Sequence, residues 1–291
     1  VTRRKRRVLV VLVVSAAVAS ASGAIAGSTA APVRVRVLRL VDRSRRAQFR
    51  DGTSAARVLV TDVRYPGRGH GPFPLIVFGH GFALATTIYA RLLDTWAQSG
   101  YVVAAPAFPV ERPNAPGGPD QRDLVNEPRD ISFVISRLLA PASPLHALID
   151  PKKIAVAGHS DGAVAALAAA YDRRFRDARV DAAVVLSGAT PSGFVRPLAD
   201  SPPLLAVQGT RDTINAPTVT ADYYRLMRRP KFLLWLLGAP HLAPYTTGDR
   251  WAAVVERVTT TFLDYYLRGG ALRSLIAAGN RPGVARIASS P

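Results

Sequence analysis

Apolar and polar residues follow two different periods along this chain, and the periods alternate in blocks. At residues 33–41 valine and leucine alternate with arginine (Val33, Val35, Val37, then Leu38 and Leu40), the pattern of a half-exposed strand, and residues 57–64 read as a second strand with Val58 and Val60. Residues 75–78, Leu-Ile-Val-Phe, have no polar alternate and read as a strand buried on both faces of a parallel sheet. Strands are expected again at 101–105, 153–157, 180–186, 204–207 and 231–237. Between them lie helical patterns: one ending at Gln98 before Gly100, one opened by Asn126 or Glu127 with Pro128 and running to Leu139, an alanine-rich run to Ala170, and a closing helix at 251–267. Such alternation predicts an α/β domain, a mostly parallel twisted sheet with helices on both faces. There is no internal repeat and no sign of a second domain.

Two stretches interrupt the pattern. Residues 65–74, rich in Gly and Pro, form a turn region. Residues 106–119 (Pro-Ala-Phe-Pro-Val-Glu-Arg-Pro-Asn-Ala-Pro-Gly-Gly-Pro) cannot be regular, because each proline removes a backbone donor. This loop follows a strand, at the carboxyl edge where open α/β sheets bind ligands. It is either a wall of a substrate cleft or a mobile surface loop.

The strand at 153–157 runs into Gly158-His159-Ser160-Asp161-Gly162 and then into the alanine-rich helix. G-x-S-x-G between a strand and a helix is the nucleophile elbow, whose small residues let the chain reverse sharply and leave the serine strained and exposed at a helix N-terminus. An alcohol needs a base to become a nucleophile, and the base needs a carboxylate to hold its tautomer. His241 is the one histidine beyond the elbow, in a Gly/Pro-bounded loop after the last predicted strand. Asp212 follows the strand at 204–207; its alternative reading is a helix N-cap. Ser160, Asp212 and His241 stand in the order this chemistry uses, with spacings of 52 and 29 residues. The oxyanion then needs two N–H donors, expected from the backbone of Asp161 and of Phe82, in the turn Gly79-His80-Gly81-Phe82. Phe82 and His159 are the candidate substrate contacts.

Composition narrows the chemistry. With 291 residues and 48% apolar content the chain can bury a full core. The formal charge is +18, but Arg3, Arg4, Lys5, Arg6 and Arg7 sit at the extreme N-terminus, and the remaining basic residues, nearly all arginine, are dispersed. No nucleic-acid partner is expected. The absence of cysteine excludes disulfides and thiolate chemistry. His70, His80, His146, His159 and His241 show no metal-ligand spacing, so neither a metal nor another cofactor is expected.

The N-terminus reads as a basic block, an apolar run and small residues with A-x-A sites at 19–21 and 24–26, the plan of a secretory signal. Residues 1–31 are therefore expected to be a signal peptide, 32–270 the catalytic domain and 271–291 a C-terminal tail. A secreted protein that meets the membrane only during export follows, the alternative being an anchor that is never cleaved. Val1 in place of Met fits an alternative bacterial start codon.

Four motifs, Gly79-His-Gly-Phe82, Gly158-His-Ser-Asp-Gly162, Asp212-Thr-Ile-Asn-Ala-Pro217 and Gly238-Ala-Pro-His-Leu-Ala-Pro244, together resemble the serine esterases of the α/β-hydrolase superfamily. Within it the chain is similar to secreted bacterial dienelactone-hydrolase-like enzymes and polyester hydrolases of the cutinase type. The resemblance implies the α/β-hydrolase fold in a single domain and cleavage of a small-molecule or lipid ester, with a monomer favoured. Two features depart from it: no tryptophan stands at 186–194, and an acid, Asp161, occupies a position usually apolar. Small soluble esters are therefore the expected substrates. The contrasting expectation is a catalytically silent hydrolase fold that binds a surface or a partner.

Overall fold

The computed structural model describes residues 32–194 and 197–291. The expected signal peptide lies outside the described residues. The arginine-alternating stretches form a long antiparallel pair, β1 (Val33–Gln48) and β2 (Ser54–Pro66), with an irregularity between Asp42 and Arg46. The buried runs become β3 (Phe73–Gly79), β4 (Val102–Ala107), β5 (Ile149–His159), β6 (Ala182–Leu186), β7 (Leu204–Gly209) and β8 (Lys231–Leu236). A further strand, β9 (Ala285–Ser290), closes one edge. The described strands form one sheet in the order β1-β2-β4-β3-β5-β6-β7-β8-β9; the six from β4 to β8 are parallel, with antiparallel strands on both flanks.

Helices cover both faces, as the alternation requires. On one face lie α1 (Ala90–Gln98) and, after the short α5 (Ala243–Thr246), the long α6 (Arg250–Arg268) and α7 (Leu272–Gly279). Their apolar stripes, including Trp96, Val255, Phe262 and Leu275, pack on Phe78, Val103 and Phe232 of the sheet. On the other face lie α2 (Glu127–Leu139), α3 (Asp161–Tyr171) and α4 (Pro217–Leu226). Every residue of α3 is buried, which explains its alanine content: small side chains let the helix lie close to sheet and neighbours alike.

The stretch expected to be a tail is part of this body. Residues 272–279 are helical, and β9 pairs with all six residues of β8, from Lys231↔Ser290 to Leu236↔Ala285. The domain therefore runs past residue 270, because β8 would otherwise leave a row of backbone donors and acceptors unpaired at the sheet edge. Among the described residues no helix is long and apolar enough to cross a membrane.

A buried ion cluster joins β2 to the helical side. Arg57, with no exposed surface, donates to both oxygens of Asp130 (2.7 and 2.5 Å) and both of Asp123 (3.1 and 2.6 Å). Asp123 lies in a 3-10 turn, Gln121–Asn126, and Asp130 in α2, so one planar guanidinium fixes the connection that precedes the elbow.

Candidate active site

At the end of β5 the chain reverses through Ser160, which holds φ 55° and ψ −120°, a left-handed-side backbone that costs a non-glycine residue free energy. Close backbone approach imposes this geometry. A Cβ on Gly158 would fall 2.1 Å from the carbonyl oxygen of Gly162, and one on Gly162 would fall 2.2 Å from the carbonyl of Gly79. The elbow and the turn after β3 thus touch main chain to main chain.

After β7, Asp212 is nearly fully buried, and its Oδ2 accepts from His241 Nδ1 at 2.8 Å. Oδ1 accepts from the backbone N–H of Ile214 and of Asn215, both at 2.9 Å. Gln208, unremarkable in the sequence, donates to Asp212 Oδ2 at 3.1 Å while its own oxygen accepts from Thr220 at 2.7 Å. Burial works against the Asp212 charge, but the His241 hydrogen bond and the two amides outweigh it and hold the carboxyl below the usual carboxylate range. With Nδ1 committed to Asp212, His241 is left with Nε2 for chemistry. Among the described residues no hydrogen bond joins Ser160 Oγ to His241.

The turn after β3 carries the other expected groups. Neither the Phe82 nor the Asp161 backbone N–H has an acceptor among the described residues, whereas neighbouring amides do: Gly81 donates to Tyr89 Oη at 3.2 Å and Ala83 to the Glu111 carbonyl at 3.0 Å. Phe82 is exposed. His80 is buried and serves as a brace: Nε2 accepts from the Phe108 N–H at 2.9 Å, so Nδ1 carries the proton toward the Gly81 carbonyl. Burial lowers it to about 4. The loop at 106–119 is therefore no mobile segment; Phe108, Val110, Glu111 and Ala115 are buried, and the loop buttresses this turn.

The structure places His159 differently from the substrate contact expected of it. Its ring has no exposed surface. Nε2 faces the His241 carbonyl at 3.0 Å and must donate, so Nδ1 accepts from Tyr89 O–H at 2.8 Å. Tilted against the His241 and Tyr245 rings at centroid distances of 4.7 and 4.8 Å, it ties the turn after β3 to the loop after β8. Neither tyrosine stands in a motif, and only folding brings them to the elbow.

Asp161 turns its carboxylate toward the turn at Gln121–Asn126, where Gln121 donates to Oδ2 at 2.6 Å. Burial raises its pKa, against the pull of Gln121 and of His241. Behind it lie the fully buried carboxyls of Glu111 and Glu127, each acting on the other's charge, and none of their oxygens has a hydrogen-bond partner among the described residues. Two like charges are strongly disfavoured in such a space, so the pair retains a proton. Burial and then the Asp161 charge push Glu111 up to about 8, and burial and then Glu111 raise Glu127.

A nine-stranded, mostly parallel sheet with this elbow defines an α/β-hydrolase of the esterase type. The Chlorophyllase family model matches residues 48–215, more than half of the sequence, and the chain belongs to that family, a carboxylic-ester hydrolase. A search of the curated proteins returns no match. Among solved structures, the ferulic acid esterase from Streptomyces cinnamoneus is similar in fold, with a TM-score of 0.69 and 24% identity, over 89% of this chain and 96% of that one.

Proposed function

We propose that the protein is a secreted serine esterase that works through an acyl-enzyme. The observation that carries this reading is the 2.8 Å bond between Asp212 and His241, in a loop tied by His159 to the strained elbow of Ser160. Ser160 Oγ attacks the ester carbonyl as its proton passes to His241 Nε2, and Asp212 steadies the imidazolium. The tetrahedral oxyanion lies against the unspent N–H groups of Phe82 and Asp161. Collapse breaks the bond to the alcohol oxygen, which takes the proton from Nε2. Water then repeats the sequence on the acyl-serine and frees the acid. No cofactor enters. The structural similarity to a Streptomyces ferulic acid esterase supports a small-molecule ester as substrate.

Turnover of a chromogenic short-chain ester that disappears in Ser160→Ala, with fluorophosphonate labelling lost in parallel, is the expected result. Equal turnover in both proteins would refute the reading. The second reading, a silent fold acting as a binding module, requires an unlabelled Ser160, and that result would decide for it. Export rests on the basic, apolar and A-x-A pattern of residues 1–31. N-terminal sequencing of the extracellular protein should give a start near residue 32, and an intact leader would refute cleavage. The protein then meets the membrane only in transit and works as a monomer.

A further inference from the structure

We propose that the groove between α2 and the first turns of α3 receives the acyl arm of the ester, and that this arm is apolar and longer than acetyl; the proposal rests on the Ser160 reading above. The cavity measures about 410 Å³, within the range of small-molecule sites. Val125, Pro128, Val164, Ala168 and Phe175 give it apolar walls, Arg122 and Arg174 at its rim are paired with Asp120 and Asp172, and Gln121 holds Asp161. Through Gln121 the cavity edge is hydrogen-bonded to the side chain next to the nucleophile, while Ser160 itself does not line it.

Its side of the sheet assigns the arm. The His241 ring packs on His159 beside Tyr89 and Tyr245, whose side chains belong to the core under α1 and α6. The groove opens on the opposite face, with α2 and α3. A departing alcohol takes its proton from His241 Nε2 and so leaves over the first face, which directs the acyl chain to the second. Distance sets the length. At about 1.5 Å per residue, Val164 and Ala168 stand about 6 and 12 Å along α3 from Ser160. An acetyl group stops short of the first, and an octanoyl chain runs past it.

The test compares kcat/KM for 4-nitrophenyl acetate and 4-nitrophenyl octanoate in the full chain and in Val125→Glu. Val125 is an exposed valine at the groove, so the charge falls on the path of the chain and not in the core. The unaltered protein should favour octanoate by about tenfold or more, and Val125→Glu should cut the octanoate-to-acetate ratio by about tenfold. Both substrates see the same preparation, so partial misfolding cannot produce a changed ratio. A ratio at or below unity in the unaltered protein, or one that Val125→Glu leaves in place, overturns the groove. In that event acetate turnover that is lost in Ser160→Ala still upholds the esterase. If neither ester is turned over, both readings fall.

Discussion

His159 donates its Nε2–H to the main-chain carbonyl of His241, 3.0 Å away, so the residue beside the nucleophile holds the backbone of the base without engaging its ring nitrogens. Removing that donor should loosen His241 without touching Asp212. His159→Phe is expected to lower kcat by about tenfold or more and to leave the Tyr89 O–H proton and the His241 carbonyl without a partner, at a cost of about 1–3 kcal/mol each. His159→Gln, which can still donate, should recover part of kcat. A variant with unchanged kcat would remove the positioning role.

The same ring makes the protein sensitive to acid. Burial, then the His241 charge, lowers His159 to about 3 from an unfolded value of 6.5, so below 6.5 the unfolded chain binds a proton that the folded one refuses. Stability is then lost as pH falls from about 6.5 toward 3, and His80 adds to the slope down to about 4. Denaturant titrations at stepped pH should show that slope reduced in His159→Phe.

Asp161 sets a carboxylate near the site where the oxyanion grows. Asp161→Asn keeps the backbone donor and a partner for Gln121 but removes the charge. It should raise kcat toward a neutral ester by about threefold or more at pH 8, with a smaller gain at pH 5, because the raised pKa of Asp161 leaves less charge to remove there. A fall in kcat at both pH values would mean that the carboxylate assists catalysis.

Glu111 and Glu127 act on stability in the opposite sense to the histidines. Above about 4.5 the unfolded chain releases protons, while folded Glu111 keeps its own up to about 8, so this pair costs stability progressively as pH rises through that window. Glu127→Gln supplies a neutral amide to Glu111 and should raise Tm by about 2–4 °C at pH 8, with less gain at pH 5. Equal gains at both pH values would contradict a proton retained by the buried pair.

Residues 271–291 should be indispensable. Deleting them removes both α7 and β9, which leaves the β8 edge unpaired and uncovers the apolar face that α7 covers. Thermal melting should show a loss of about 10 °C or more, or aggregation through the bare β8 edge. A Tm within about 2 °C of the full chain would make the segment an accessory.

What the sequence discloses here depends on how local each signal is. The buried runs at 75–78 and 204–207 and the G-x-S-x-G reversal carry their meaning within a few residues, and chain order alone lines up Ser160, Asp212 and His241. β9 was illegible because Ala285-Arg-Ile-Ala-Ser-Ser290 has one large apolar residue and pairs on one side only. The charged interior was illegible for another reason. Arg57 meets Asp123 and Asp130 across 66 and 73 residues, and in a sequence such charges look like ordinary surface. His159 was assigned to the substrate because sequence adjacency to Ser160 says nothing of which way a ring points.

The main-chain contact of Gly79, Gly158 and Gly162 separates two tasks that the same residues would otherwise share. It sets how far apart the amides of Phe82 and Asp161 stand, with no contribution from either side chain. Side chains at positions 82 and 161 can therefore change with the ester while the spacing of the two backbone donors stays the same.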